Sequence, residues 1–95
     1  MILITVEATF APNDLGNAIA LFDEQANEVR MMDGCKHYAL FRNVAGDGIA
    51  ILQHWETIEA FDTYKASDIF AKLGQSLRPL MSAIPVTHVA RVDNI

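Results

Sequence analysis

Residues 35–56 read CKHYALFRNVAGDGIAILQHWE, and this stretch contains two runs in which apolar and polar side chains alternate. The first run covers residues 35–44 and the second covers residues 49–56. Between them lies a glycine-rich turn that contains Gly46 and Asp47. Alternating runs joined by such a turn are typical of a β-hairpin. The sequence therefore predicts two neighbouring antiparallel strands in the middle of the chain.

A turn about Gly46 and Asp47 also predicts which side chains of the hairpin share a face. It pairs Tyr38 with Trp55 across the two strands. The face that contains this pair carries eight side chains: Tyr38, Leu40, Arg42, Val44, Ile49, Ile51, Gln53 and Trp55. His54 points to the reverse face. An indole, a phenol, an amide and a guanidinium are therefore expected together on one side of the hairpin.

The sequence on either side of the hairpin supplies two further strands and two helical regions. Residues 2–10 alternate as a strand does, and residues 15–32 carry apolar side chains every three or four positions, as in an amphipathic helix. Thr57 and Ser67 can each cap a helix, so the second helical region is predicted to be broken in two. Residues 84–92 supply the last strand.

The predicted order of elements is strand, helix, strand, strand, helix, strand. The first strand is predicted to stop at Pro12, Asn13 and Asp14, which also offer a cap for the start of the long helix. Gly34 is predicted to end that helix. Right-handed connections arrange this order as a ferredoxin-like βαββαβ fold of the α+β class. We expect a four-stranded antiparallel sheet with the helices on one face.

The composition describes a single domain over residues 1–95. Hydrophobic residues make up 52% of the chain and charged residues 20%, and a chain of this size buries roughly 60 to 65% of its unfolded surface. The net charge is −5, from 12 acidic and 7 basic residues, with no basic stripe. This balance argues against an electrostatic partnership with nucleic acid or with an anionic membrane. A small neutral or aromatic ligand fits better.

The number of cysteines and the composition of residues 1–10 indicate the cellular compartment of the protein. Cys35 is the only cysteine, so no internal disulfide can form and a reducing cytoplasm is permitted. Residues 1–10, MILITVEATF, lack the basic leader and cleavage pattern of a secretion signal and are too short to span a bilayer. We expect a cytoplasmic protein.

Both faces of the predicted sheet carry large apolar residues. Phe41 and Leu52 lie on the face opposite to Tyr38, Ile51 and Trp55. The helices can cover only one face, and a large exposed apolar patch is rare on a monomer. We therefore predict a homodimer in which the sheets of two copies pack against each other.

The aromatic residues of the hairpin have two interpretations. The helix after Trp55 brings Tyr64 overhead, so Tyr38, Trp55 and Tyr64 could line a flat cavity that binds an aromatic ligand. Alternatively, Trp55 and Tyr38 are core residues under the helices, as buried aromatic residues usually are. The sequence leaves both interpretations open.

Glu7 is the acidic residue that draws most attention, because it lies in the middle of the first strand. A carboxyl group there must be paired, protonated or facing a wet cavity. It could act as a general base, or it could form an interfacial ion pair with Arg42 or Arg91. The three histidines lie singly on strands with no ligand at helical spacing, so no metal site is expected.

Several short motifs resemble those of a known family. They are RMMDGCKHY at residues 30–38, QHWE at residues 53–56, and Phe61, Tyr64, Ser67 and Phe70 on the helices that follow. Their order and spacing resemble the antibiotic biosynthesis monooxygenase-like proteins over nearly the whole chain. The resemblance implies a dimeric α/β barrel with a pocket between the sheet and the helices of each subunit. Carried over by position, Tyr38, Trp55 and Tyr64 would line that pocket.

The chain departs from this family pattern at two positions. Gln53 stands where the family often has Glu, and Tyr64 stands where it often has His. Residues 71–74 also lack the histidine that the heme-degrading members place on this helix. We therefore expect neither heme nor another cofactor.

The function that the resemblance implies is a cofactor-independent monooxygenase of a small hydroxylated aromatic compound or quinol. Tyr38 and Trp55 would stack on the ring, Gln53 and Tyr64 would form hydrogen bonds with its oxygens, and Arg42 would stabilise the anion. The candidates for the catalytic base are Glu7 first and His88 second. Two alternatives stay open, a non-catalytic dimeric barrel that binds a small molecule and an isomerase of the same fold. The sequence does not decide whether the chain is an enzyme.

Overall fold

The computed structural model describes residues 1–93 as a sheet with helices packed on one side. Its strands are β1 (Ile2–Thr9), β2 (Cys35–Arg42), β3 (Gly48–Trp55) and β4 (Val86–Arg91). Its helices are α1 (Pro12–Arg30), α2 (Ile58–Lys65) and α3 (Asp68–Leu77), and a short 3-10 helix at Arg78–Leu80 follows α3.

The four strands form one antiparallel sheet in the order β2-β3-β1-β4. This order and the sequence of elements confirm the ferredoxin-like α+β fold, including the break in the second helical region. The strand that begins the chain lies inside the sheet, between β3 and β4. Within residues 1–93, no helix is long and apolar enough to cross a membrane.

The caps of the two short helices follow the prediction. The hydroxyl of Thr57 accepts a hydrogen bond from the backbone N–H of Ala60 at 3.1 Å, and the hydroxyl of Ser67 accepts one from Phe70 at 3.3 Å. Each bond satisfies a donor that the first turn of a helix cannot pair internally. These two caps are the local reason why one helical region becomes α2 and α3.

The two ends of α1 differ in how well they were predicted. The helix begins with Pro12 at its first turn and Ala11 as its cap, so the cap predicted among Pro12, Asn13 and Asp14 was placed too late. Proline suits this position because its missing N–H would be unpaired there in any case. Gly34 has φ +82° after the helix end, and a β-carbon there would lie 2.6 Å from that of Ala60. Glycine is therefore required at this turn.

The register of the β2–β3 hairpin differs from the prediction by two residues. Tyr38 pairs with Gln53, and Arg42 pairs with Ile49, so the predicted pairing of Tyr38 with Trp55 was wrong. A shift of two residues moves each side chain along the strand but keeps it on the same face. The predicted faces consequently survive the error in register from His37 to Arg42, whereas a bulge between Cys35 and His37 places Cys35 opposite Trp55.

Asn43 is the physical reason for this shift. Its side-chain oxygen accepts hydrogen bonds from the backbone N–H groups of Gly46, Asp47 and Gly48 at 2.8, 3.2 and 3.2 Å. Its side-chain nitrogen donates to the Asp47 carboxylate at 2.8 Å. Asparagine favours such local bonds, and here they end β2 at Arg42, two residues earlier than predicted. Val44 lies in the loop and not on a strand.

The hydrophobic core lies between the sheet and the helices. The inner face of α1 supplies five buried residues: Leu15, Ala18, Phe22, Ala26 and Val29. The sheet contributes alternate residues of β1 and β3, such as Ile4 and Ile51. The helices leave the other face of the sheet uncovered, and Phe41 and Val86 on that face are 53% and 50% exposed.

Candidate functional site

A cavity of about 640 Å³ opens between the sheet and α3. Its lining residues come from all three helices, from β1, β3 and β4, and from the segment between α3 and β4: Val6, Ala8, Phe22, Ile51, Gln53, Phe61, Tyr64, Lys65, Phe70, Leu73, Gly74, Leu77, Arg78, Met81, Ser82, Ala83, Ile84, Pro85 and Thr87. Most of these side chains are apolar. The volume lies within the range of small-molecule sites, about 300 to 1,000 Å³.

The wall of this cavity on the β3 side is backed by an aromatic cluster that consists of Tyr38, Trp55, Phe61 and Tyr64. Trp55 has no exposed surface, and its ring stacks on that of Tyr64 with the centroids 5.2 Å apart and the planes 21° apart. Tyr38 contacts Tyr64 edge to face, with the centroids 6.4 Å apart. Phe61 lies 6.2 Å from Trp55. Phe61 and Tyr64 line the cavity, whereas Tyr38 and Trp55 lie behind Tyr64.

Gln53 is the buried polar residue at the junction of the aromatic cluster and the cavity. It is 3% exposed, and its side-chain oxygen accepts a hydrogen bond from the indole N–H of Trp55 at 2.9 Å. Without this acceptor the buried indole N–H would have no hydrogen-bond partner, which would lower the stability of the fold. Among the described residues, the amide nitrogen of Gln53 has no hydrogen-bond partner. Gln53 can therefore offer its NH₂ group to a ligand.

The two phenols of the cluster remain protonated over the physiological range. Burial raises the pKa of Tyr38 above its ordinary value, and the nearby Tyr64 raises this pKa further. Burial also raises the pKa of Tyr64. Removal from water disfavours the charged phenolate in both cases. At neutral pH, Tyr64, which lines the cavity, therefore carries a neutral hydroxyl group and not an anion.

The residues predicted as catalytic bases lie on the other face of the sheet. His88 pairs with Thr5, and Glu7 pairs with Val86, so the side chains of Glu7 and His88 alternate with those that face the helices. Both residues are exposed and neither lines the large cavity. Arg42 lies near the end of β2, and with Glu7 it lines a second hollow of about 350 Å³.

A comparison with protein-family models adds to this geometry. The model described as antibiotic biosynthesis monooxygenase matches residues 1–75, which is most of the chain. The chain belongs to this family. A comparison with curated proteins found no match.

Solved structures share the fold of this family member closely. Rv0793 from Mycobacterium tuberculosis is 19% identical and has a TM-score of 0.91, over 98% of this chain and 96% of that one. A conserved protein from Methanosarcina mazei is 16% identical, with a TM-score of 0.91 over 97% and 92% of the two chains. A Deinococcus radiodurans protein that carries the family's name is 16% identical, with a TM-score of 0.93 over 100% and 95%. At these identities the likeness establishes the fold alone.

Lys65 and Arg78 are the cavity residues that sequence reasoning missed. Lys65 is the last residue of α2, directly after Tyr64, and Arg78 follows the last residue of α3, Leu77. The apolar spacing of Phe70, Leu73 and Leu77 indicated an inner face of α3. Residues next to that stripe lie at its margin, so Arg78 could have been found from the same periodicity.

The chemistry available to the site follows from this lining. Among the described residues, no carboxylate and no imidazole lines the large cavity. The polar groups that do are the amide of Gln53, the hydroxyls of Tyr64, Ser82 and Thr87, and the cations of Lys65 and Arg78. Such a site can bind an aromatic ring, form hydrogen bonds with its oxygens and stabilise negative charge.

Proposed function

We propose that this chain is a cofactor-independent monooxygenase of a small hydroxylated aromatic compound or quinol. The observation that carries the proposal is the apolar cavity of about 640 Å³ with Gln53 and Tyr64 in its wall, in a chain of the antibiotic biosynthesis monooxygenase family. An apolar cavity with a few convergent polar groups is suited to a flat aromatic substrate.

In a reaction of this kind the substrate supplies the electrons. Loss of a hydroxyl proton leaves an electron-rich anion, which passes one electron to dioxygen and becomes a radical beside superoxide. The two radicals combine as a carbon-bound peroxide. The O–O bond then breaks as the same carbon loses its remaining proton, so that a carbonyl forms and the other oxygen leaves as water. Overall, a ring CH₂ and O₂ become C=O and H₂O.

The protein residues bind, orient and exclude water in this scheme. The amide NH₂ of Gln53 and the hydroxyl of Tyr64 donate hydrogen bonds to the substrate oxygens, and these bonds strengthen as the anion forms. Trp55 and Tyr38 hold Tyr64 and Gln53 in place from behind. The apolar side chains of α3 that line the cavity exclude water from the radical pair.

The reaction also requires a route for the substrate proton. Glu7 and His88 stay predictions as bases, and their positions give neither of them a contact with the cavity. Positive charge near a hydroxyl group favours its ionised form, and Lys65 and Arg78 in the lining give the cavity that charge. We propose that the proton leaves to solvent at the mouth, without a carboxylate or an imidazole in the cavity.

Oxygen uptake by the purified protein tests this function directly. We expect uptake with a panel of quinols and anthrone-type phenols, in protein treated to remove metal and flavin. Tyr64→Phe should slow it about tenfold or more, because one hydrogen bond to the developing anion is lost. Lys72→Gln, an exposed change on α3 outside the cavity, should leave uptake unchanged. Uptake no faster than the uncatalysed rate across the panel would remove the proposal.

The second candidate is a non-catalytic barrel that binds a small molecule. The absence of a carboxylate and an imidazole from the described lining favours it, since most proton-transfer enzymes use such groups. It predicts binding of aromatic ligands in the cavity with no oxygen uptake. The same lining weighs against the isomerase alternative, which needs two acid-base groups on opposite sides of the ligand.

We also propose a homodimer through the uncovered face of the sheet. Proteins of this family are generally dimeric, and Phe41 and Val86 leave apolar surface exposed on this face. A second copy would cover that surface. Sedimentation should give twice the mass of one chain at micromolar concentration, and Phe41→Glu should shift it toward one chain. A wild-type protein that sediments as a single chain would rule the dimer out.

A further inference from the structure

The charges at the cavity are opposite in sign to the charge of the chain. The chain carries a net charge of −5, yet the two formally charged side chains in the described lining are Lys65 and Arg78. Both are exposed, whereas Gln53, Leu73 and Leu77 are buried. The cavity therefore has a positive mouth and an apolar interior.

Lys65 is held in place without being neutralised. Its ammonium nitrogen lies 4.8 Å from the centroid of the Phe61 ring and 3.4 Å from a carboxylate oxygen of Asp62. The side chains of Lys65 and Asp62 are 47% and 59% exposed, and exposed ion pairs are weak. Lys65 therefore retains its attraction for a second anion.

Arg78 has a more open position. Its guanidinium lies alongside Gly74, where a β-carbon would be 3.7 Å from one of the terminal nitrogens. Within residues 1–93, Arg78 forms no ion pair. A guanidinium presents its donors in a plane that matches a carboxylate, and the bond is stronger than one between neutral groups.

We propose that Lys65 and Arg78 bind an anionic substituent of the ligand, namely a carboxylate carried by the aromatic ring. The ring enters the apolar interior, its hydroxyl or carbonyl oxygens meet Gln53 and Tyr64, and the carboxylate remains at the mouth. The buried donors of Gln53 and Tyr64 bind the oxygen that reacts. The cations of Lys65 and Arg78 at the mouth are therefore free to bind a second, anionic group of the same ligand. That this ligand is a substrate rests on the proposed function, whereas the anion site itself does not.

Binding of an unreactive pair of probes tests this site. Anthraquinone-2-carboxylate and anthraquinone-2-carboxamide have the same ring and differ in charge, and calorimetry gives their dissociation constants. We expect the wild-type protein to bind the carboxylate about tenfold or more tightly than the amide. This preference should decrease as salt is added, because the mouth is exposed.

Variants that each remove one positive charge show whether Arg78 and Lys65 cause the preference for the carboxylate. Arg78→Gln and Lys65→Gln should each weaken binding of the carboxylate several-fold and leave binding of the amide unchanged. Arg78→Lys should restore part of the preference. Lys72→Gln removes the same charge from α3 outside the cavity and should change neither constant. Equal binding of the two probes by wild type, or equal weakening of both by Arg78→Gln, would refute the anion site.

Oxygen uptake separates this inference from the proposed function. A carboxylate preference that depends on Arg78, without oxygen uptake on any aromatic acid or on any member of the quinol and phenol panel, would support the anion site and refute the oxygenase. Uptake on neutral quinols, with no preference between the probes, would support the oxygenase and refute the anion site.

Discussion

The aromatic cluster and the cavity lie side by side on the same face of the sheet, but one is filled and the other is open. Trp55 has no exposed surface, and its one polar atom is paired with Gln53. Phe70, across the cavity, is 36% exposed and makes an edge contact with Tyr64. The difference teaches that the tryptophan supports the site from behind, and that the residues able to contact a ligand include less conspicuous ones on α3.

The largest expected effect is on the stability of the aromatic cluster. Trp55→Ala should lower the free energy of unfolding by about 3 to 5 kcal/mol, because it leaves a cavity in a filled region. Phe70→Ala, the matched change on the cavity side, should cost about 1 kcal/mol or less, since the partly exposed ring gives up less burial. Chemical denaturation measures both. Equal losses for the two variants would mean that the cavity wall is as tightly packed as the cluster.

The hydrogen bond between Gln53 and Trp55 should have the next largest effect. Gln53→Leu removes the acceptor and leaves a buried indole N–H unpaired, which should cost about 1 to 3 kcal/mol. Gln75→Leu makes the same chemical change at an exposed position on α3 and should be nearly neutral. Urea denaturation distinguishes them. A neutral Gln53→Leu would indicate that water replaces the lost acceptor.

The buried phenols predict a dependence of stability on alkaline pH. Unfolded tyrosines lose their protons near the ordinary pKa of 10.0, whereas burial raises the pKa of Tyr38 and Tyr64 in the folded chain. Stability from these groups is therefore complete below pH 10 and decreases as the pH rises above it, by up to about 1.4 kcal/mol per pH unit for each phenol. Tyr38→Phe should flatten the decrease in denaturation experiments between pH 8 and pH 11. An equal slope in wild type and variant would contradict this assignment.

The smallest expected effect is that of Gly74→Ala, at one of two glycines with opposite surroundings. Gly74→Ala, on the cavity side of α3, should stabilise the chain by up to about 1 kcal/mol, because alanine favours a helix and its β-carbon would make only an ordinary contact with Arg78. Gly34→Ala, below the aromatic cluster, should destabilise it, since φ is +82° and Ala60 is too close. Thermal unfolding compares the two. The contrast would fail if both changes had the same sign.

Much of the fold could be predicted because its signals are local. The alternation in residues 35–56, the caps at Thr57 and Ser67 and the turn at Gly34 each depend on a few neighbouring residues. The predicted register of the hairpin was wrong, although the alternation of its two strands was predicted correctly. Three backbone bonds to the Asn43 side chain decide where the chain turns, and periodicity alone does not report such bonds.

The candidate site could be predicted only in part. Gln53 and Tyr64 were expected in the cavity wall and lie there. Arg42, Glu7 and His88 were also proposed, but the strands carry Glu7 and His88 to the other face and Arg42 to the end of β2. That Lys65 and Arg78 line the same cavity depends on how α2 and α3 pack over the sheet, which no short motif encodes.

The sequence by itself determined the order of strands and helices, the side chains that share each face of the hairpin, and a resemblance to the family. These properties follow from the two-residue period of a strand, the 3.6-residue period of a helix and the chemistry of caps. Only the tertiary structure decided that Trp55 is buried behind Tyr64, and that Lys65 and Arg78, from different helices, line the same open cavity. Which side chain covers another depends on the packing of elements that are distant in the chain, and so on contacts that the local pattern does not contain.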